Sequence, residues 1–240
     1  MTDPGLDYAR FEALTFDCYG TLIDWEAGIL AGLRPAAASA GATPSDDDLL
    51  EAYARAEATA EAGSYRRYRD ILASSFIEVC HRFGIDPDPE AAAAFGGSVA
   101  DWPPFPDSAE ALRRLQSRFR LGVVTNCDDD LFAASNRRLG VTFDWIVTAQ
   151  SVGSYKPDPR NFEAAFAAIE LPRERILHVA QSLFHDHVPA KKLGMSTVWI
   201  DRRRDRAGSG ATPPATVTPD AVFPDLDSFA TAATAGAGRS

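Results

Sequence analysis

The sequence predicts an α/β fold in which a doubly wound parallel sheet core carries an inserted, all-helical cap domain. Short apolar runs alternate with helix-like stretches along most of the chain, the pattern of consecutive β-α-β units. Residues 26–100 break this alternation, because they contain helix-like stretches and no convincing strand. These two observations predict a parallel sheet covered on both faces and interrupted by a helical segment.

The predicted strands are short and almost wholly apolar, as expected of parallel strands that are buried on both faces. They lie at residues 13–16, 120–125, 145–149, 176–180 and 196–200. Helix-like stretches of suitable length follow at residues 108–119, 129–140, 159–170 and 185–194. Gly140 ends the second of these stretches, where a helix C-cap is expected. The order of elements predicts a Rossmann-like sheet with helices on both faces.

The segment after the first strand reads as helices only. Its four helix-like stretches lie at residues 27–42, 45–62, 65–84 and 88–102. The Pro-rich sequence DWPPFPD at residues 101–107 follows them and is typical of a hinge. We therefore expect a discontinuous α/β core at residues 1–24 and 101–240 and a helical cap domain at residues 25–100. Near the end of the chain, a surface loop, a last helix and a frayed end are expected at residues 202–221, 223–235 and 236–240.

Composition narrows the class of protein. The chain of 240 residues has a formal net charge of -10, which argues against nucleic acid or an anionic membrane as a partner. Its three cysteines show no spacing typical of a disulfide framework or a zinc site. The start of the sequence lacks the pattern of a signal peptide, and no apolar run approaches the length of a membrane span. We expect a soluble, cytoplasmic protein.

Polar side chains follow four of the predicted strands, just beyond the point where each strand ends. In chain order they are Asp17, Tyr19, Thr21, Thr125, Asn126, Lys156, Ser182 and Asp186. In an open parallel α/β sheet the carboxyl ends of the strands border the active crevice. A carboxylate beside a lysine and a second carboxylate can support covalent catalysis. We therefore expect these side chains to converge, with Asp17, Lys156 and Asp186 as the catalytic groups.

Two motifs in combination resemble those of the haloacid dehalogenase superfamily, most of whose members are phosphatases. They are FDCYGTLIDW at residues 16–25 and SYKPDPRNF at residues 154–162. Thr125 and Asp186 stand in the order of the remaining motifs, so the resemblance covers nearly the whole chain. It implies a Rossmann-like core with a cap inserted after the first motif, an aspartate nucleophile and a nearby lysine.

Two positions separate this sequence from the phosphatases that it resembles. Those enzymes resemble DxDGT, and here Tyr19 replaces the second aspartate. In the late motif, Ala180-Gln181-Ser182 stands where phosphatases usually carry a Gly-Asp pair, and Asp186 is the remaining acid. A hard divalent cation is usually bound by more than one carboxylate. The resemblance therefore implies the 2-haloacid dehalogenase branch, with no metal and no other cofactor. His185 and His187 are expected to pack or hydrogen bond rather than to bind metal.

The mechanism that this resemblance implies has two steps. Asp17 attacks C2 of a small 2-substituted carboxylate in line and forms an ester. Water then attacks the carboxyl carbon of Asp17 and releases a 2-hydroxy acid. By the same resemblance, Lys156 orients Asp17 and keeps its pKa low. Asp186 either binds Lys156 or helps to activate the water.

The expected substrate-binding residues surround these groups. Tyr19 is expected to form a pocket wall, and a cationic residue of the cap is expected to bind the leaving group. Arg55 is the first candidate for that role, with Arg66, Arg67 or Arg69 as alternatives. The residues expected to supply hydrogen bonds to the substrate or to Asp17 are Thr21, Thr125, Asn126 and Ser182. The expected partners are the small carboxylate and water, and the resemblance also allows a homodimer.

Two departures from the dehalogenase pattern leave the leaving group open. Leu183 stands where the branch carries Asn, and Phe162 stands where it carries an aromatic hydroxyl. Both changes remove hydrogen-bonding groups from the expected pocket. The chain is also similar to azetidine-2-carboxylate hydrolase, in which a strained ring nitrogen leaves from C2 by the same mechanism. A phosphatase of the same superfamily and a non-catalytic binding protein remain further alternatives.

Overall fold

The protein is built around one parallel β-sheet of six strands. The computed structural model describes residues 6–206 and 208–235. The strands are β1 (Ala13–Phe16), β2 (Arg120–Thr125), β3 (Trp145–Thr148), β4 (Ile176–Ala180), β5 (Ser196–Ile200) and β6 (Ala221–Phe223). Their spatial order is β3-β2-β1-β4-β5-β6, and every neighbouring pair is parallel. The predicted α/β fold is confirmed.

Helices fill the intervals between the strands. The described residues form α1 (Trp25–Ser39), α2 (Asp46–Glu61), α3 (Tyr68–Arg82), α4 (Pro89–Gly97), α5 (Ser108–Gln116), α6 (Asp129–Leu139), α7 (Ala149–Val152), α8 (Arg160–Ile169), α9 (Val188–Lys192) and α10 (Leu226–Thr234). Short 3-10 helices lie at Tyr8–Arg10, Ser98–Asp101 and Arg173–Arg175, and a π-helical turn lies at Leu183–His187. In the described part of the chain, none of these helices has the length and apolar character needed to cross a membrane.

Local sequence explains where several helices begin and end. Ser45 and Asp48 form a reciprocal capping box at the start of α2, which satisfies backbone N–H groups that the first turn leaves without partners. Gly140 ends α6 in the left-handed conformation, with φ of 64°, as its position in the sequence predicts. Capping of this kind sets helix ends, whereas burial of one face sets helix orientation.

The predicted strands agree with the observed ones except near the end of the chain. β3 ends at Thr148, one residue earlier than predicted. β6 was not predicted, because it has only three residues and begins at the last residue of the expected surface loop. The last predicted helix begins three residues late, at Leu226, because β6 and its turn occupy the residues before it. The predicted frayed end at residues 236–240 lies outside the described residues.

Residues 25–100, here called the helical insertion, contain α1 to α4. The two chain segments that join this insertion to the sheet lie side by side. Asp24 donates a backbone hydrogen bond of 2.8 Å to Pro103, and Phe105 donates one of 3.0 Å to Leu22. The insertion is therefore attached through two neighbouring segments that are hydrogen-bonded to each other. Its division from the core as a domain of its own remains a prediction.

β1 lies at the centre of the sheet and delivers the chain to the site. Its apolar side chains are fully buried, as expected for a strand covered on both faces. β1 pairs with β2 on one side and with β4 on the other. The chain order reverses at this point, and open α/β sheets bind their ligands in the crevice at such a reversal.

Candidate active site

The loop that follows β1 folds around one carbonyl oxygen. The backbone N–H groups of Thr21, Leu22 and Ile23 all donate to the carbonyl of Cys18. Gly20 has φ of 93°, a conformation that L side chains rarely adopt, and a Cβ there would lie 3.0 Å from the Trp25 indole nitrogen. The tight turn therefore requires glycine, and it places Thr21 back against the residue that ends β1. Cys18 is fully buried in the core, as its position in the sequence predicts.

Asp17 is held from both of its carboxylate oxygens. Thr21 donates a hydrogen bond of 2.7 Å from Oγ1 to Oδ2, and Lys156 donates one of 2.9 Å from Nζ to Oδ1. Thr21 also accepts the backbone N–H of Gln181 at 2.9 Å, which fixes the direction of its own hydroxyl proton. Thr21 is thus a donor to Asp17, one of the two roles that the sequence left open.

Lys156 joins the two carboxylates that the sequence predicts to be catalytic, Asp17 and Asp186. Its Nζ donates to Asp17 Oδ1 at 2.9 Å, to Asp186 Oδ1 at 2.6 Å and to the carbonyl of Val124 at 2.8 Å. An ammonium group has three protons, so these three acceptors use all of them. Lys156 is only 1% exposed, and the pair of carboxylates supplies the charge that a buried cation needs.

Burial and charge act against each other on these three groups. Burial raises the pKa of Asp17 above its ordinary value, and the attraction of Lys156 opposes the shift only in part. The sequence predicts that Lys156 keeps the pKa of Asp17 low. This prediction is wrong, because burial outweighs the attraction of Lys156. Burial also acts to raise the pKa of Asp186, but the Lys156 charge and the hydrogen bond from His178 outweigh it and hold that pKa well below its usual range. Burial lowers the pKa of Lys156 less than its two carboxylate partners raise it, so Lys156 stays charged.

A π-helical turn after β4 sets the position of Asp186. Ser182 precedes this turn and accepts the backbone N–H of His185 on its Oγ at 2.9 Å. The backbone N–H of Asp186 donates to the Ser182 carbonyl at 3.2 Å. Asp186 is fully buried, and its Oδ2 accepts no hydrogen bond from any described residue. Oδ2 is therefore the carboxylate oxygen of Asp186 without a hydrogen-bond partner among the described residues.

His178 on β4 holds the other oxygen of Asp186. Its Nε2 lies 3.0 Å from Asp186 Oδ1, and its Nδ1 lies 3.0 Å from Thr15 Oγ1. Phe162 packs edge-on against the imidazole, with 5.1 Å between ring centroids. Phe162 thus supports His178 and does not line the pocket. The sequence did not identify His178 because it stands inside a strand rather than after one.

The two polar residues after β2 differ in position. Asn126 accepts the backbone N–H of Lys156 on Oδ1 at 2.7 Å and donates from Nδ2 to the Lys156 carbonyl at 3.0 Å. Asn126 therefore fixes the backbone of Lys156. Thr125 is fully buried, and its Oγ1 has no hydrogen-bond partner among the described residues. It does not line the cavity in front of Asp17.

Tyr19 stands where the phosphatases that the sequence resembles carry a second aspartate, and a phenol cannot replace a carboxylate as an acid or base near neutral pH. Its hydroxyl lies 3.0 Å from Ser135 Oγ and accepts a hydrogen bond of 3.3 Å from the thiol of Cys127. Burial raises the pKa of Tyr19 well above its ordinary value. The phenol is neutral near pH 7 and points towards α6, so Tyr19 presents its ring as a wall of the cavity.

A small cavity of about 20 Å³ lies in front of Asp17, with room for about one water molecule. The residues predicted for the site that line it are Asp17, Tyr19, Asn126, Lys156, Ser182 and Asp186. The lining is completed by Trp25, Glu57, Glu61, Tyr68 and His185. Burial lowers the pKa of His185 to about 4, so this imidazole is neutral near pH 7.

The prediction for Arg55 is corrected by its position on α2. Its guanidinium is 56% exposed and lies 3.7 Å from Glu51 on the outer surface. The three alternative arginines of the helical insertion also have partners elsewhere. Arg66 donates to Ser74 at 3.2 Å, while Arg67 and Arg69 pair with Asp128 and Asp130. None of these four arginines lines the cavity.

The helical insertion instead contributes two acids, which the sequence did not identify. Glu57 Oε1 accepts hydrogen bonds from the hydroxyls of Tyr53 at 2.6 Å and Tyr68 at 2.8 Å. Glu61 lies 3.4 Å from Asn126 Nδ2 through both of its oxygens. A signal was present, because Tyr53, Glu57 and Glu61 recur every four residues and continue the buried face of α2. An acid on an otherwise apolar helix face is a candidate site residue.

Comparison with known proteins agrees with this geometry. A model of the haloacid dehalogenase-like hydrolase family matches residues 11–183. The chain belongs to this family. It is 26% identical over 232 residues to haloacetate dehalogenase H-2 of Moraxella sp. (strain B), covering 92% of this chain and 96% of that protein. It is 24% identical over 201 residues to an (S)-2-haloacid dehalogenase of Pseudomonas putida, covering 80% and 86%.

Solved structures give the same fold. An L-2-haloacid dehalogenase structure matches with a TM-score of 0.77 at 22% identity, covering 94% of this chain and 100% of that chain. The family model and the similar proteins together identify this protein as a haloacid dehalogenase-type hydrolase. Within the described residues, no group of three or more His, Cys, Asp or Glu side chains is arranged to hold a metal ion.

Proposed function

We propose that this hydrolase displaces a leaving group from C2 of a small 2-substituted carboxylate through an ester of Asp17. The observation that supports the proposal most directly is the buried chain of contacts from Asp17 through Lys156 to Asp186. A carboxylate whose oxygens are both held, and which borders a cavity, is suited to in-line attack on carbon.

In the first step, an Asp17 oxygen forms a bond to C2 while the bond between C2 and the leaving group breaks. The leaving group departs with that electron pair. Asp17 loses its negative charge as the ester forms, so the raised pKa of the Asp17 carboxyl favours this change. Lys156 stays in contact with Asp186 throughout, so its charge is not left without a partner.

In the second step, water attacks the carboxyl carbon of Asp17. The proton of this water passes to the free Oδ2 of Asp186, which has no partner among the described residues. The bond between C2 and the ester oxygen stays intact, whereas the bond between that oxygen and the Asp17 carboxyl carbon breaks. The departing alkoxide takes up the proton held by Asp186, and Asp17 releases a proton to solvent. The products are a 2-hydroxy acid and regenerated Asp17, which has gained one oxygen atom from water.

Tyr19 favours carbon over phosphorus as the point of attack. A phosphatase needs an acid at this place to protonate its leaving group, and the buried phenol of Tyr19 cannot change its protonation near neutral pH. We therefore propose that turnover needs no divalent cation. The cytoplasmic location and the homodimer stay predictions.

The proposal is tested by turnover of (S)-2-chloropropionate in the presence of EDTA, with chloride and lactate measured. We expect both products in equal amounts and none from the Asp17→Asn variant. In a single turnover in H₂¹⁸O, the label should enter Asp17, as peptide mass spectrometry would show. Label that appears directly in lactate, or phosphatase activity that EDTA abolishes, would overturn the proposal.

Ring opening of azetidine-2-carboxylate remains a second candidate with the same mechanism. One observation favours it over a simple haloacid. The helical insertion lines the cavity with Glu57 and Glu61 and not with an arginine that could bind a departing halide. Assay of azetidine-2-carboxylate beside (S)-2-chloropropionate decides between the two leaving groups.

A further inference from the structure

The cavity in front of Asp17 has an excess of acids. Four carboxyl side chains line it: Asp17, Glu57, Glu61 and Asp186. Lys156 is the cation among the lining residues, and its three protons are already used by Asp17, Asp186 and a carbonyl. Glu61 also lies 3.8 Å from Nε2 of His185, whose imidazole is neutral near pH 7. Glu57 and Glu61 therefore have no cation of their own near neutral pH among the residues that line this cavity.

Burying these two acids as carboxylates is unfavourable. Glu57 is only 3% exposed, and the side chain of Glu61 is 6% exposed. Burial raises the pKa of Glu57 to about 7, and burial together with the charge of Glu57 raises that of Glu61 well above its ordinary value. A buried carboxylate without a partner costs stability, whereas a cation that enters the cavity supplies the missing charge.

The aromatic residues of the cavity favour the same kind of ligand. Tyr19 and Tyr68 stack with 6.5 Å between ring centroids, and both line the cavity together with Trp25. The faces of aromatic rings attract organic cations. Asp186 Oδ2 is a further buried acceptor at this cavity without a partner among the described residues. Carboxylates and aromatic side chains around one small space are the kinds of group that bind an ammonium ion.

We propose that Glu57 and Glu61 bind a protonated amine of the substrate. The substrate class is then a small 2-substituted carboxylate that carries a cationic nitrogen within a few bonds of C2. This inference rests on the proposed function, which places C2 next to Asp17, and it adds the substrate group that faces the helical insertion. An azetidine ring, whose nitrogen is protonated near neutral pH, is one member of this class.

Two other occupants would use the same acids differently. If Glu57 and Glu61 are both protonated, they can donate hydrogen bonds to the carboxylate of the substrate. A metal ion would need three or more ligands in suitable positions, and the described residues contain no such group. The proposed ammonium site differs from both of these alternatives, because it requires that the affinity for the ligand depend on a positive charge in the ligand and not on a metal ion.

A matched pair of unreactive product analogues tests the proposal. 4-Amino-2-hydroxybutanoate and 2-hydroxypentanoate differ only by an ammonium group in place of a methyl group. Calorimetric titration of the wild-type protein at pH 8 in EDTA should show at least about tenfold tighter binding of the amine. Equal affinities, tighter binding of 2-hydroxypentanoate, or a preference that appears only with added Mg²⁺ would overturn the proposal.

Variants of the two acids test which side chains are responsible. Glu57→Gln and Glu61→Gln should each reduce the preference for the amine at least about threefold while changing the affinity for 2-hydroxypentanoate less than about twofold. Glu51→Gln is the matched control, since Glu51 lies on the same helix with its side chain 47% exposed. Circular dichroism and urea unfolding check that the variants are folded. If the variants weaken both ligands equally, the acids have a structural role and the inference is wrong.

Failure of this inference can be told apart from failure of the proposed function. Binding of the two analogues involves no covalent step, so it does not depend on Asp17 as nucleophile. Hydrolysis of (S)-2-chloropropionate with label in Asp17 and no preference for the amine would refute only the ammonium site. A strong preference for the amine without label in Asp17 would refute the ester mechanism instead.

Discussion

His178 donates a hydrogen bond of 3.0 Å from Nε2 to Oδ1 of Asp186, and both side chains are fully buried. Because an ionised carboxylate can only accept, we assign the imidazole proton to Nε2, and Nδ1 then accepts from Thr15. Asp186 Oδ1 thus receives both His178 and Lys156. Oδ2 is left without a partner among the described residues, so in the proposed mechanism His178 would position Asp186 for hydrolysis of the ester.

Substitution of His178 should affect the chemical step more than substrate binding. We expect His178→Phe to lower kcat for (S)-2-chloropropionate roughly 10- to 100-fold, with KM changed less than about threefold. The acidic limb of the kcat profile should move to higher pH, because loss of a donor raises the pKa of Asp186. His178→Gln, which keeps a donor, should recover part of the loss. An unshifted pH profile in His178→Phe would contradict the assigned role.

Removal of the Lys156 charge should destabilise the fold in a pH-dependent way. Lys156→Met leaves Asp17 and Asp186 buried without a cation, and we expect a loss of about 3–5 kcal/mol in unfolding free energy at pH 8. Without that cation both carboxyls have raised folded-state pKa values, so stability is lost as pH rises and part of it returns at pH 5. Urea unfolding at both pH values measures this difference. Lys191→Met, at a half-buried surface pair with Asp220, is the control and should cost no more than about 1 kcal/mol.

Tyr19 should tolerate loss of its hydroxyl. The pKa of Tyr19 lies far above neutrality, so its phenol is no acid or base during turnover. We expect Tyr19→Phe to lower kcat less than about fivefold and to reduce unfolding free energy by about 1 kcal/mol, since Ser135 and Cys127 lose a partner. A drop in kcat beyond about a hundredfold would show that the hydroxyl takes part in the chemistry.

Glu57 should make stability fall as pH rises. Its folded-state pKa is about 7 and its ordinary value is 4.5, so folding favours the protonated form. The associated stability is fully present below about pH 4.5 and is lost as pH rises through about 7. We therefore expect Glu57→Gln to be more stable than wild type at pH 8, by up to about 3 kcal/mol, with no difference near pH 4. Thermal unfolding across this pH range measures the effect, and Glu51→Gln should show none.

Arg55 should be dispensable for turnover. Its side chain is exposed, contacts Glu51 and lies away from the cavity. We expect Arg55→Ala to keep kcat/KM for (S)-2-chloropropionate within about twofold of wild type, as is usual for exposed sites. A loss of tenfold or more would restore the role in leaving-group binding that the sequence predicted.

The contact between Asp17, Lys156 and Asp186 could be predicted because the sheet topology alone brings these residues together. Asp17, Lys156 and Asp186 each follow a strand of a parallel sheet, and such strands end at one edge. Neither a contact nor a distance is needed for that argument. His178 cannot be predicted by this argument, because it lies within a buried strand and its sequence position indicates a core residue. Its role depends on contacts with Thr15 on β1 and with Asp186 in the π-helical turn.

The residues of the helical insertion could not be assigned in the same way. Arg55 and Glu57 are two positions apart on α2, which turns about 200° over that distance, so they point to nearly opposite sides. Periodicity defines the apolar face of such a helix, but the packing of the insertion on the sheet decides which face meets Asp17. That packing depends on contacts between residues far apart in sequence, such as Tyr68 with Asp128.

The hydrogen bond between Asp24 and Pro103 joins the two segments that connect the helical insertion to the sheet, and it bears on how the insertion can move. The cavity of about 20 Å³ is smaller than a substrate of several carbon atoms, so we expect substrate entry to require movement of the helical insertion relative to the sheet. Because the two connecting segments are hydrogen-bonded side by side, we expect them to bend together about one axis. Such a movement would leave Asp17 and Lys156 with the sheet and would carry Glu57 and Glu61 on α2 away from them.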